Sequence, residues 1–148
     1  MRNNLIVLID SSTKREHGKY GESTIAWAAW WNQVKGTPLR AELIYLKKEG
    51  PNKAFYDGVI RILQSCWYIC HPEDKLTIYG DCKIVINHIN NENPSGTELM
   101  PFYRQVKKIE QNYRCPVKYK YIPRGDPKYS KIDNLVKRGR GLFRNLKI

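Results

Sequence analysis

Apolar residues in this chain come in short runs whose period changes along the sequence, and the period assigns each run to an element. Leu5 to Ile9 is a continuous aliphatic run, which predicts a strand buried on both faces. The stretch from Ser11 to Glu22 is polar and carries Gly18 and Gly21, so a turn is expected there. Thr24 to Gln33 predicts a second strand, and Pro38 to Lys47 a third, where Leu39, Ala41, Leu43 and Tyr45 alternate with Arg40 and Glu42. Lys48 to Asn52 breaks that pattern. From Lys53 to Tyr68, Phe55, Val59, Ile62, Leu63 and Cys66 recur at helical spacing, and His71-Pro72 ends the helix. Leu76 to Gly80 predicts a fourth strand, followed by a short helix from Cys82 to Ile89, a polar loop from Asn90 to Gly96, and a helix from Leu99 to Asn112. Val117 to Ile122 predicts a fifth strand, and a last helix is expected from Lys131 onward. Three strands on short links followed by alternating helices and strands imply an α/β protein, a five-stranded mixed sheet flanked by helices. No repeat or low-complexity linker divides the chain, so residues 1–148 are expected to form a single domain.

Composition narrows the class. With 41% hydrophobic residues the chain has a globular, not a disordered, composition. No apolar run approaches the length of a membrane helix and no signal-peptide pattern opens the sequence. The expectation is a soluble intracellular protein, cytoplasmic or nuclear, not secreted, with no membrane partner and monomeric. Cys66, Cys70, Cys82 and Cys115 are sparse for a disulfide framework and lack zinc-ligand spacing, so they are expected to be reduced and buried.

Charge adds a partner. Of the formal net charge of +12, residues 1–98 carry +1 (12 basic, 11 acidic) and residues 99–148 carry +11 (14 basic, 3 acidic). A basic surface interleaved with Tyr103, Tyr113, Tyr119, Tyr121, Tyr129 and Phe143 releases counterions on meeting phosphate, which makes nucleic acid the expected partner. Trp27, Trp30 and Trp31 are expected in the core. Strand neighbours point to opposite faces, so one of the adjacent pair should be the more exposed.

Against this basic background stand three aspartates at the ends of apolar runs: Asp10 closing LIVLID, Asp81 closing LTIYGD and Asp133 opening KIDNLVKRG. Oxygen donors of this kind suit a hard cation such as Mg²⁺, which also bridges substrate phosphates. Each aspartate also has a plainer role open to it: a turn or helix cap for Asp10 and Asp81, an ion pair with Lys131 or Lys137 for Asp133.

The layout and these acids resemble the ribonuclease H family, over nearly the whole chain. Asp10 in LIDSST looks like its first carboxylate. Asp81 in GDCKIVINHI is similar to its fourth-strand motif, and YIPRGDPKYSKIDNLV, with Asp133, looks like its passage from the fifth strand into the last helix. The Pro123-Arg124 variant is most like the plant and retroelement, reverse-transcriptase-associated branch. The resemblance implies hydrolysis of the RNA strand of an RNA/DNA hybrid, with double-stranded RNA as the other substrate to consider. It implies a two-metal mechanism with Mg²⁺, or Mn²⁺ in its place, held by Asp10, Asp81 and Asp133. Ser11, Ser12, Asn52, Arg124, Lys128 and Lys131 become candidates for contacts with the nucleic acid.

One departure bears on activity. Where the family places Asn-x-Ala-Glu-Tyr, this chain has Asn52-Lys53-Ala54-Phe55-Tyr56, so Phe55 stands at the glutamate station. Asp57 is the nearest acid, but a two-residue step turns a side chain by about 200° around a helix. Three classes of function follow: a nuclease, with Asp57 or water completing the site; a nucleic-acid binder without catalysis; and a scaffold whose basic face meets a protein.

Overall fold

A computed structural model of the chain describes residues 3–46, 50–123 and 125–127. The elements in order are β1 (Asn4–Glu16), β2 (Lys19–Trp31), β3 (Arg40–Leu46), α1 (Pro51–Cys66), β4 (Lys75–Gly80), α2 (Lys83–Asn90), α3 (Met100–Glu110) and β5 (Val117–Tyr121). The five strands form one sheet in the order β3-β2-β1-β4-β5. β1 pairs antiparallel with β2, and β2 with β3, while β1–β4 and β4–β5 are parallel. The expected last helix, and with it Arg124, Lys128, Lys131 and Asp133, lies outside the described residues.

The largest difference from the sequence pattern is the first hairpin. Ser11 to Glu22 reads as a turn, yet β1 runs on to Glu16 and β2 begins at Lys19. Only His17 and Gly18 turn, both at positive φ (51° and 76°), the conformation that matches a tight hairpin to the twist of its strands. Pairing slips between Thr13 and Arg15, a bulge in the outer part of this ribbon.

The core explains the unbroken aliphatic run in β1. Leu5, Val7 and Ile9 face α1 and join the main cluster with Ile25, Trp27, Ile78 and the inner face of α1. Leu8 points the other way, into a second cluster with Ala26, Ala28, Trp30 and Ile122, against which Ile6 packs. Trp27 and Trp30 are core residues and Trp31 is the more exposed of the adjacent pair. Close approach of α1 to the sheet depends on Gly58: a Cβ there would lie 2.9 Å from Ile25 Cγ2. Arg40 donates to the Ser65 carbonyl and Arg61 pairs with Glu42 at 3.5 Å, tying α1 to β3.

All four cysteines are free thiols; Cys66, Cys70 and Cys115 are buried and Cys82 is half-buried. Burial pushes the Cys66 thiol up to about 12, despite the opposing Arg40 charge. No helix among the described residues is long and apolar enough to cross a membrane.

Candidate active site at the end of the β1–β4 ladder

The parallel register of β1 and β4 brings two aspartates together. Their last paired positions are Ile9 and Gly80, so Asp10 and Asp81 follow side by side, on neighbouring strands spaced about 4.8 Å apart. Asp10 is 2% exposed, and its Oδ1 accepts the Ser11 backbone N–H at 2.9 Å. Alternation along β1 sets it on the face of Ile6 and Leu8, away from α1. Asp81 is half-buried in the bend before α2.

Phe55 stands beneath the end of the β1–β4 ladder, where β4 stops and β1 runs on past Asp10. It is fully buried, and a Cβ built at Gly80 would come within 2.7 Å of its Cε2 atom. The aromatic ring therefore lies directly under the residue that precedes Asp81. Asp57 is half-exposed two positions further along α1 and turned well round the helix from Phe55. Its neighbour Gly58 is the residue that approaches Ile9 and Ile25.

The first turn of α1 reaches the same place. Asn52 Oδ1 accepts from the Cys82 thiol at 3.5 Å, which links the start of α1 to the residue after Asp81. Burial raises the Cys82 thiol above its ordinary range, with the neighbouring Asp81 charge adding to the effect. Asn52 also lines a groove of about 690 Å³ between Tyr20 on the hairpin, Gly50 to Lys53, and Gly96 to Leu99 before α3. Ser11 and Ser12 are half-exposed on β1, opposite Ile25 and Thr24. Lys83 and Tyr121 belong to this end of the sheet as well. The Lys83 ammonium sits 5.8 Å from the ring centre of Tyr121, which pairs with Gly80. The sequence pattern marks Tyr121 as one of the tyrosines of the basic surface but does not single out Lys83, which opens a short helix.

Cationic side chains continue across the helix and edge strand beyond. Residues 99–123 carry Arg104, Lys107, Lys108, Arg114, Lys118 and Lys120 against Glu110 alone. Arg104, Lys108, Lys118 and Lys120 are exposed, whereas Lys107 is engaged by Glu110 at 3.3 Å.

Carboxylates and side-chain amide oxygens are hard donors, chemically suited to Mg²⁺ or Mn²⁺, and Asp10, Asp81 and Asn52 bring these types to this end of the β1–β4 ladder. α1 adds no acid to them at position 55. Among the described residues no group of three His, Cys, Asp or Glu side chains is arranged to hold a metal.

No protein-family model matches the chain, and no curated protein does. Solved structures do. The N-terminal ribonuclease H domain of a Mycobacterium tuberculosis protein, solved as a fusion with maltose-binding protein, matches with a TM-score of 0.73 at 16% identity, over 97% of this chain and 99% of its own. A ribonuclease H1 isolated from compost, in complex with an RNA/DNA hybrid, matches at 0.72 and 18%, over 90% of this chain and 94% of its own. A foamy viral protease-reverse transcriptase, also in complex with an RNA/DNA hybrid, matches at 0.70 and 13%, over 91% of this chain and 20% of its own. Together with the strand order, these matches establish that the chain has the ribonuclease H fold.

Proposed function

We propose that this chain is a divalent-metal-dependent nuclease acting on the RNA strand of RNA/DNA hybrids, its catalysis slowed by Phe55. The observation that carries this reading is the Ile9–Gly80 register, which sets Asp10 and Asp81 side by side in a ribonuclease H fold. In this reading Asp10 and Asp81 hold the cation, with Asp133 as the third ligand, and Asp57 is the one acid of α1 available to assist from the helix. The bound cation would supply an activated water and neutralise charge on the leaving oxygen. Asn52, Ser11 and Ser12 would meet the hybrid from the groove side, where 2′-hydroxyl contacts tell RNA from DNA. Lys83 and the exposed cations of α3 and β5, with Arg124, Lys128 and Lys131, would draw in the phosphate backbone. The Pro123-Arg124 sequence supports placing the chain near the reverse-transcriptase-associated branch.

Phe55 favours a second reading, a nucleic-acid binder that has lost catalysis. A buried ring supplies no oxygen donor, and α1 then contributes packing where a carboxylate would contribute charge.

The deciding experiment incubates end-labelled RNA/DNA hybrid, double-stranded RNA and DNA with the protein in Mg²⁺ and in Mn²⁺, alongside Asp10→Asn and Asp81→Asn. Hybrid cleavage lost in both variants supports the nuclease. Salt-dependent binding with no cleavage in either metal supports the binder. Absence of both binding and cleavage overturns the two readings together.

A further inference from the structure

The groove beside Asn52 has one wall that no regular element supplies. Asn91 to Leu99 links α2 to α3, and Gly96 to Leu99 face Gly50 to Lys53 across the groove. A wall made of loop must be held by side chains if it is to present a fixed surface. Two side chains do so. Tyr103 on α3 donates its hydroxyl to the Asn91 carbonyl at 3.2 Å, and His88 on α2 places Nε2 at 3.0 Å from the Ser95 carbonyl.

The chemistry at His88 fixes its proton. A carbonyl oxygen only accepts, so Nε2 carries the hydrogen, and in the neutral ring Nδ1 is then an acceptor. The Tyr56 hydroxyl stands 2.5 Å from Nδ1 and is the donor that this tautomer requires. Tyr56 is fully buried and stacks on Phe102 with ring centres 5.7 Å apart. The imidazole meets Tyr56 edge-on at 5.6 Å and Tyr103 edge-on at 5.7 Å. Burial holds the Tyr56 phenol well above its ordinary range, with Tyr103 adding to it, so the hydroxyl keeps its hydrogen for this bond. A chain of contacts thus runs from the core face of α1, through the imidazole, to the loop backbone one residue before the groove wall at Gly96.

We infer that His88, oriented by the Tyr56 hydroxyl, is a positioning residue that fixes the Asn91–Leu99 loop, whose Gly96 to Leu99 part lines the groove, and so sets how tightly the groove holds a nucleic-acid backbone. The affinity half of this inference rests on the proposed function; the positioning half rests on the geometry alone.

The test uses the whole chain with His88→Ala, His88→Gln and Tyr56→Phe. Glutamine keeps an N–H donor near the position of Nε2, and phenylalanine keeps the ring that packs on Phe102. Amide hydrogen exchange should rise in residues 91–99 of His88→Ala while α1 and the sheet exchange as in the wild type. Hybrid affinity should fall by about fivefold, the loss expected from one hydrogen bond of ordinary net strength. His88→Gln should recover most of both. Nitrogen NMR should report the Nε2–H tautomer in the wild type and a tautomer mixture in Tyr56→Phe. Unchanged loop exchange and unchanged affinity in His88→Ala overturn the inference, as does a loosening spread evenly over the chain. Wild-type protein that binds no hybrid overturns the proposed function and the affinity half, and the exchange pattern then decides the positioning half.

Discussion

The ring of Phe55 occupies the space that a side chain at Gly80 would need. Phe55 Cε2 would lie 2.7 Å from a Cβ at that position, and Ile9 Cγ2 would lie 3.2 Å from it. Both neighbours are fully buried, so neither is the loose end of a surface side chain. Gly80→Ala should therefore destabilise the protein by about 1–3 kcal/mol, the usual penalty for overpacking a filled core. Pairing it with Phe55→Leu should return part of that loss. Urea denaturation of the single and double variants checks this, and additive losses would contradict the shared space.

Phe55→Glu tests what the ring costs the site. Removing a buried aromatic side chain costs about 3–5 kcal/mol, so the variant should be much less stable without divalent metal. Millimolar Mg²⁺ should recover part of that stability, and hybrid cleavage should rise above wild type. Stability unaffected by Mg²⁺, with no gain of cleavage, would remove position 55 from the site.

Tyr119 closes the far side of the core through one strong bond. Its hydroxyl donates to Glu110 Oε1 at 2.5 Å, and Lys107 reaches the other carboxylate oxygen at 3.3 Å. Burial, and then the Glu110 carboxylate, keep this phenol protonated far above its ordinary range. Tyr119→Phe should cost about 1.5–3 kcal/mol, as expected for a hydrogen bond to a charged partner. An unchanged urea midpoint would contradict this role.

Alkaline stability follows from the buried thiols. The Cys66 thiol moves from 9.0 to about 12 on folding because burial disfavours the thiolate. A raised folded value means that its stabilising contribution is complete below pH 9 and is lost as pH rises from 9 toward about 12, since the unfolded chain deprotonates first. Urea midpoints should fall through that window, and less steeply in Cys66→Val. Equal slopes for the two proteins would show that Cys66 contributes nothing to it.

Much of this structure is legible in the sequence wherever burial imposes a period. Leu5 to Ile9, buried on both faces, predicts the inner part of β1, and the helical spacing of Phe55, Val59, Ile62 and Leu63 predicts α1 with only its ends displaced. The outer hairpin is not legible in the same way. Lys14, Arg15, Lys19 and Tyr20 are exposed, so backbone pairing holds that ribbon together with little apolar pattern to betray it. That Asp10 and Asp81 each follow the last pair of the β1–β4 ladder is half legible: the sequence marks the end of β4, but Asp10, read as closing its strand, lies inside β1 opposite Ala26. The groove is not legible, because Tyr20, Asn52 and Gly96 meet only in the folded chain. Tyr56 and His88 are likewise 32 residues apart, and neither belongs to a spacing pattern that points to the other.

We propose that Asp10 and Asp81 together hold a divalent cation where the β1–β4 ladder ends. Paramagnetic Mn²⁺, titrated into the nitrogen-labelled protein and followed by amide NMR, tests it without relying on catalysis. Broadening should centre on residues 9–11 and 80–82 and vanish in Asp10→Asn, with Mg²⁺ competing it away in the wild type. Broadening centred elsewhere, or unchanged in Asp10→Asn, would contradict the claim.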